Sequence, residues 1–318
     1  MTSHTHERHY FAQFLAIVVG ALTTLQSRVN GELSFRLQNG IEAAAVSFST
    51  GLILLSLYAL FSRQTRQGFR NLSSALKSKQ IFWWQCIGGS VGAMFVAIQS
   101  VSVPLVGVAI FTIATVGGQI ASSLVVDRMG LGPQGRIHPS RNRILAAIVA
   151  VAAVAVSVSH RIEGSDFPLI AVIAALGVGA GVSVQHSFNG HVNIKAGSPV
   201  TAALMNFIVG TTVLYVIFGI GIASGHYVFE PLPAGPFYLY LGGLFGLLFI
   251  ITASRVIKLL GSLRFAMGSV TGQLVGSLLL DIFVPTSGSD VSIQLLSAIA
   301  MTALAVVLAN LRPKSNAI

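Results

Sequence analysis

Cysteine and charged residues are both scarce in this sequence, and each shortage excludes a class of protein. Only one cysteine, Cys86, occurs in 318 residues, so a disulfide framework, a CxxC redox pair and a cysteine-based metal site are excluded. Charged residues make up 9% of the chain, whereas an ordinary soluble domain has about 25%. A soluble globular fold is therefore excluded.

Catalytic and nucleotide-binding motifs are also missing. The chain has no HExxH, no Walker-type GxxxxGK[ST] and no carboxylate cluster with two-metal spacing. We therefore expect no enzyme activity, no cofactor and no metal. The net charge of +10 would suggest nucleic acid in a soluble chain. In this composition, basic residues that anchor one face of a membrane explain it better, so nucleic acid is not an expected partner.

Apolar runs of about 20 residues follow one another along a chain that is 53% hydrophobic, with a mean hydropathy of +0.80. Such a run crosses roughly 30 Å of hydrocarbon as a helix. Lipid demands helices here, because each unpaired backbone group would cost several kcal/mol. The sequence predicts ten transmembrane helices, at about 11–30, 41–61, 82–102, 105–126, 143–160, 167–188, 200–223, 236–254, 262–283 and 291–311.

An internal duplication organises these spans. Residues 25–51, LQSRVNGELSFRLQNGIEAAAVSFSTG, return as VQHSFNGHVNIKAGSPVTAALMNFIVG at a constant offset of 159. Two further blocks, GGSVG at 88–92 and GGQ at 117–119, return as GGLFG and TGQ at an offset of 154. Self-similarity of this length indicates two fused units. We predict two domains, residues 1–160 and 161–318, each a five-helix transmembrane repeat.

Lysine and arginine lie almost entirely at one face of this layout. Sixteen of the 19 fall on the side of the amino terminus, and only Arg28, Arg36 and Arg161 fall on the other. The positive-inside rule therefore predicts that both termini are cytoplasmic. Because five is an odd number of spans, the second unit enters from the opposite face, which predicts inverted repeats related by a pseudo-two-fold axis in the membrane plane.

These features together resemble the drug/metabolite transporter superfamily. They are the five-plus-five repeat, the Gln and Asn four apart followed by Gly, the SF or NF pair in span two, and the GGQ or TGQ with serines and a terminal Asp in span four. The closest resemblance is to its YdcZ-like family, usually one five-helix unit, so that this chain would be a tandem fusion. The resemblance implies membrane transport of a small molecule by alternating access.

Six amides at matched positions are the candidate substrate-binding residues. They are Gln26, Asn30, Gln119, Gln185, Asn189 and Gln273. Gln26 and Asn30 lie four residues apart and share one helix face, and their counterparts do the same. Buried amides need partners, so these residues either join helices by hydrogen bonds or bind substrate where the inverted helices meet near mid-depth.

Four ionisable residues are candidates for coupling transport to a proton or a sodium ion. They are Glu32, Glu42, His186 and His191. A carboxylate inside a membrane segment is functional by default, although Arg28 lies four residues before Glu32 and could neutralise it. A histidine could relay a proton or could pack as a neutral ring. Asp127 and Asp281 end the fourth span of each unit, where we expect solvated caps.

The sequence therefore predicts an all-α integral membrane protein that acts as a secondary active transporter in the bacterial cytoplasmic membrane. Its partners are the lipid bilayer and a small molecule that the sequence does not identify. A lipid flippase, a channel and a membrane scaffold without transport are the alternatives. One chain holds both units, so a monomer would suffice, and a homodimer stays open.

Overall fold

The structure, a computed structural model, describes residues 2–162, 167–260 and 262–311. In these ranges helices are the only regular secondary structure. The helices are α1 (Thr2–Leu37), α2 (Gly40–Phe61), α3 (Arg63–Lys77), α4 (Gly88–Val106), α5 (Val108–Met129), α6 (Arg141–Val158), α7 (Leu169–Ala196), α8 (Pro199–Ala223), α9 (Gly242–Leu260), α10 (Ser262–Phe283) and α11 (Ile293–Asn310).

Nine helices in the described ranges are long and apolar enough to cross a membrane, judged by length and composition. They are α1, α2, α4 to α8, α10 and α11, and α9 adds a shorter apolar stretch, Gly242–Ile257. Large apolar side chains such as Phe61 and Ile170 are exposed on the outside of the bundle, where lipid would cover them. The predicted class, an all-helical integral membrane protein, is confirmed.

Helix boundaries differ from the expected spans in two informative places. Both α1 and α7 continue well past the predicted ends, so Gly31 and Gly190 lie inside unbroken helices and serve packing. The eighth span was expected from residue 236. Instead a short 3₁₀ turn, Phe237–Tyr240, precedes α9, which begins at Gly242.

Polar caps at matched positions begin the second helix of each unit. The Asn39 Oδ1 atom accepts hydrogen bonds from the backbone N–H groups of Ile41 and Glu42 at the start of α2. At the offset of 159, the Ser198 Oγ atom accepts from the Thr201 N–H at the start of α8. Such caps satisfy backbone donors that a helix start leaves free.

Most helix packing joins one unit to the other. Helix α1 packs along α9 and α10, while α7 packs along α4 and α5; α2 packs on α8, and α6 on α11. Glycines let these backbones touch. A Cβ built on Gly20 would stand 1.9 Å from the Ser269 carbonyl oxygen, and one on the matched Gly179 would stand 2.2 Å from that of Thr115. Close approach of this kind stabilises helix pairs in lipid.

Two phenylalanines at matched positions join α2 to α8. Phe48 of α2 and Phe207 of α8 occupy matched positions, and their ring centroids lie 5.1 Å apart. Each ring also fills the space beside a glycine of the opposite helix, Phe207 at Gly51 and Phe48 at Gly210. The same contact of a ring with a glycine is therefore made twice, once by each unit.

Helix α3 is amphipathic and has no helical counterpart in the second unit. Its buried face consists of Thr65, Gly68, Leu72 and Ala75. It docks on the turn between α7 and α8, where Thr201 Oγ1 donates to the Thr65 carbonyl and Asn71 Nδ2 donates to the Ala196 carbonyl. Its arginines are exposed on the opposite side.

The expectation of a solvated cap at Asp281 is wrong. Its side chain is only 4% exposed, and its two carboxylate oxygens accept from the backbone N–H groups of Val108 and Ala109 at 2.9 and 2.8 Å. Ser289 donates a further hydrogen bond. Asp281 therefore caps the first turn of α5, where the helix dipole favours a negative charge.

Candidate functional site

Asn30 joins helices in the core of the bundle. It is fully buried, its Nδ2 donates to Gln99 Oε1 of α4 at 3.1 Å, and Gln99 Nε2 donates to Ser27 Oγ at 2.7 Å. The Asn30 Oδ1 atom has no hydrogen-bond partner within the described residues. It lies against the start of α9, 2.2 Å from where a Cβ on Gly242 would stand.

Asn189 occupies the matched place in the second unit. Its Oδ1 lies 2.8 Å from the position of a Cβ on Gly88, the first residue of α4, and the Oδ1 of Asn206 lies 3.4 Å from the same point. Both asparagines are partly exposed, in contrast to Asn30. We call Gln26 with Asn30, and Gln185 with Asn189, the two dyads. The asparagine of each dyad faces the start of a different helix, α9 for Asn30 and α4 for Asn189.

The glutamines of the two dyads are also separated. Gln26 lies near Gly246 of α9, which is next to Phe207, while Gln185 lies against Gly92 of α4, which is next to Phe48. The aromatic pair stands between them in this chain of contacts. Within the described part of the chain, no hydrogen bond joins one dyad to the other. Their role in binding substrate stays a prediction.

Gln119 and His186 do meet. Gln119 Nε2 of α5 lies 3.2 Å from His186 Nδ1 of α7, and Ser183 Oγ donates to the Gln119 carbonyl at 2.8 Å. The His186 side chain is exposed. An amide and an imidazole from two helices are therefore in contact at an exposed place.

A cavity of about 540 Å³ lies beside Gln119, between α5, α10, α11 and the chain that leads into α6. Pockets of 300–1,000 Å³ hold drug-sized ligands, so this cavity could hold a metabolite. One wall is apolar, formed by α10 and α11, and the other carries polar groups. Its described lining is Val116, Gln119, Ile120, Ser123, Ile137, His138, Ser140, Arg143, Ala266, Val270, Val306, Ala309, Asn310 and Leu311.

Gln273, Glu32 and His191 have local partners. Gln273 Nε2 donates to Ser269 Oγ in its own helix, so it does not repeat the contact of Gln119. The Glu32 carboxylate is paired with Arg28 at 3.1 Å, as the sequence suggested, and also with Arg36 at 2.8 Å. His191 Nε2 lies 3.1 Å from the carbonyl oxygen of Leu131. Their assignment to binding or coupling stays a prediction.

Glu42 is different, because part of its carboxylate is buried without a partner. The side chain is 3% exposed, and Oε2 has no hydrogen bond within the described residues. The backbone amide of Glu230, in the loop after α8, interacts with the same carboxylate. An unpaired buried oxygen is costly, and a proton or a cation bound there would lower that cost.

Two features of this region were missed by sequence reasoning. Gln99 was passed over because its matched position holds Ala253, so the comparison of the two units gave it no weight. Arg143 was counted as a loop charge, but it lines the cavity and pairs with Asp127. A lone amide in an apolar run, and an arginine just inside a span, were the available signals.

Residues 88–92, GGSVG, fit the GxSxG pattern of hydrolase nucleophiles. That motif needs a sharp strand-to-helix turn. Here Ser90 lies in the first turn of α4, and its Oγ donates to the Ile87 carbonyl at 2.7 Å. Gly89 packs against the Asn206 backbone. The segment is a helix contact and not a nucleophile elbow.

Comparison with known families gives two matches along the chain. The family described as "Putative inner membrane exporter, YdcZ" matches residues 11–156 and again residues 170–308. The chain belongs to this family. The family model therefore matches the chain twice, and the resemblance seen in the sequence is confirmed. No curated protein matches the chain.

Membership in the YdcZ family supports two conclusions about this chain. It is a multi-pass protein of the inner membrane, and it belongs to a family described as exporters, which supports a role in transport.

Proposed function

We propose that this protein is a secondary active transporter that moves a small molecule across the cytoplasmic membrane by alternating access between two inverted five-helix repeats. Both termini are cytoplasmic in this proposal. The observation that supports it is that matched helices of the two units pack differently at the two ends of the bundle.

The first part of that difference concerns α1 and α7. Helix α1 packs along α4, with Gly31 against Val103 and Pro104 and with Asn30 hydrogen-bonded to Gln99. The matched helices are α7 and α9, and their described residues do not pack along each other. Gly190 contacts Pro133 of the loop after α5 instead. One face is therefore closed where the opposite face is open.

The second part concerns the cavity. It lies between α10 and α11, whose mutual packing is sparse, while the matched pair α5 and α6 packs closely. Its lining comes from the last part of α11 and the first part of α10, at the face where both termini lie. With the orientation given by the basic residues, the structure corresponds to a state open to the cytoplasm.

In this proposal the cavity receives cargo, with Gln119 in its wall and His186 hydrogen-bonded to Gln119. Glu42, on the closed side, is the strongest candidate for binding a coupling proton or sodium ion, because its carboxylate is buried and only partly satisfied. The two dyads lie at helix contacts that would change as one unit moves relative to the other. Exchange of the open and closed ends would carry cargo from one face to the other.

Disulfide cross-linking of matched cysteine pairs tests this without knowledge of the cargo. In a Cys86→Ser background, Ser27→Cys with Gln99→Cys reports the closed contact of α1 with α4. The matched pair, His186→Cys with Ala253→Cys, reports the same contact at the other face, which is open in this structure. We expect both pairs to cross-link in vesicles, each in its own fraction of molecules, and reduction to reverse both.

The matched pairs separate the competing functions. A membrane scaffold would cross-link only the first pair, whatever the reaction time. A channel would show single-channel conductance, and a lipid flippase would move labelled lipid between leaflets. Failure of the second pair to cross-link would refute alternating access.

A further inference from the structure

The proposed transport site has an electrostatic character that selects its cargo. We propose that the cavity accepts small amphipathic molecules carrying a carboxylate or a similar anionic group, and rejects organic cations. This inference rests on the proposed function, because it names the cargo class of the same site.

The charges around the cavity have one sign. Arg143 is the one lysine or arginine in the described lining, and that lining contains no aspartate or glutamate. The carboxylate paired with Arg143 is Asp127, which is not among the described lining residues. The ion pair therefore presents its positive end to the cavity. A cation in this space would meet no carboxylate.

The Arg143 guanidinium has donors to spare. Its Nη2 atom donates to Asp127 and to Ser123. Its Nε and Nη1 atoms make no hydrogen bond within the described residues, although a guanidinium can donate five. Asp127 holds the group in place, and the free Nε–H and Nη1–H donors can each bind an oxygen of an anionic group.

Helix ends reinforce the polar side only weakly. Helix α6 begins at Arg141, and its cap Ser140 lines the cavity, so the positive end of that helix dipole lies there. Asn310 at the end of α11 also lines the cavity and brings a negative helix end. The two dipoles oppose each other, and Arg143 decides the sign.

The remaining walls indicate an amphipathic cargo. Val270, Val306 and Ala309 form an apolar surface facing the polar groups Gln119, Ser123 and Arg143. An apolar body would lie along α10 and α11 while its anionic group reaches the guanidinium. A fully polar anion would leave the apolar wall against water.

A cysteine in the cavity wall measures the sign of this field directly. Ala266 lines the cavity and is exposed, so Ala266→Cys in the Cys86→Ser background places one thiol there. Its reaction rates with a sulfonate-bearing and an ammonium-bearing methanethiosulfonate are divided by the rates for a free thiol in solution. We expect the normalised rate ratio to favour the anionic reagent by about fivefold or more.

Charge-removing variants then locate the source of the field. Arg143→Gln should bring the ratio close to one, and Asp127→Asn should raise it, because that change removes the opposing charge. Arg141→Gln is the matched control, since it removes an exposed arginine of the same segment that does not line the cavity. It should change the ratio by less than about twofold.

Three results would overturn the inference. They are a ratio at or below one, an equal loss of ratio in Arg143→Gln and Arg141→Gln, and an Ala266→Cys thiol that reacts with neither reagent. In a second measurement, 4-phenylbutyrate should protect this thiol better than 4-phenylbutyramide, and 4-phenylbutylamine should protect it least. Equal protection by the three, including none, or strongest protection by the amine, would also overturn it.

The two proposals fail separately. A positive cavity in a protein whose second cysteine pair never cross-links would refute alternating access and keep the anion site. Alternating cross-links with a neutral or negative cavity would refute only the cargo class.

Discussion

A methyl group added at Gly179 should separate α7 from α5. A Cβ at this position would stand 2.2 Å from the Thr115 carbonyl oxygen and 2.6 Å from the Thr115 Cα. Ordinary contacts begin at 3.4 Å, and the neighbouring atoms are backbone that cannot swing aside. The Gly179→Ala variant must therefore shift one helix relative to the other by about 1 Å, and overpacking of this kind costs about 1–3 kcal/mol.

Gly177 provides the matched control in the same helix. A Cβ there would meet nothing within 4 Å. Gly177→Ala should be neutral or should stabilise the protein by up to about 1 kcal/mol, because alanine favours a helix over glycine. The free energies of unfolding of the two variants should therefore differ by about 1–4 kcal/mol, the sum of these two effects.

Thermal unfolding of the purified variants in one detergent measures this difference. At about 2 °C of Tm per kcal/mol for a chain of this size, Gly179→Ala should melt at least about 2 °C below Gly177→Ala. The matched Gly20→Ala, with a Cβ 1.9 Å from the Ser269 oxygen, should behave like Gly179→Ala. Equal Tm values for Gly177→Ala and Gly179→Ala would refute backbone contact between α5 and α7.

Three further predictions follow from particular contacts. Gln99→Leu should lower the free energy of unfolding by about 1–3 kcal/mol, because it leaves the buried Asn30 amide unpaired, whereas Gln67→Leu on the exposed face of α3 should have little effect; equal losses would contradict this. Asp281→Asn should lower it by about 1–2 kcal/mol through loss of the charged cap on α5, and the half-exposed Asp290→Asn should not; a stable Asp281→Asn variant in chemical unfolding would count against the cap. Cysteines introduced at 63–80 should resist an impermeant thiol reagent in intact cells and cysteines at 226–234 should react, and the reverse pattern would end the proposed orientation.

The sequence predicted the helices well, because long apolar runs leave few alternatives in lipid. It also predicted the matched positions, and the caps Asn39 and Ser198 and the facing rings of Phe48 and Phe207 follow that register. It did not predict which residues meet across the interface. Matched residues need not meet: Phe48 and Phe207 contact each other, whereas the two dyads contact different helices.

Cavity residues were harder to foresee for a related reason. Comparison of the repeats favours positions that are alike in both units, but the cavity lies where the matched helix pairs pack differently. Gln119 lines the cavity, while its counterpart Gln273 bonds within its own helix. Arg143 and Asn310 have no role in the repeat pattern, and only the folded chain places them beside Gln119.

Because α1 packs along α9 and α10, it is synthesised long before the helices that it packs against. Until those helices enter the bilayer, the backbone at Gly20 has no helix packed against it and is exposed to lipid or to the insertion machinery. Neither half of the gene, expressed alone, would bury these surfaces. Expressing the halves as two separate polypeptides should restore the protein only when both are made in the same cell, and each half alone should be degraded.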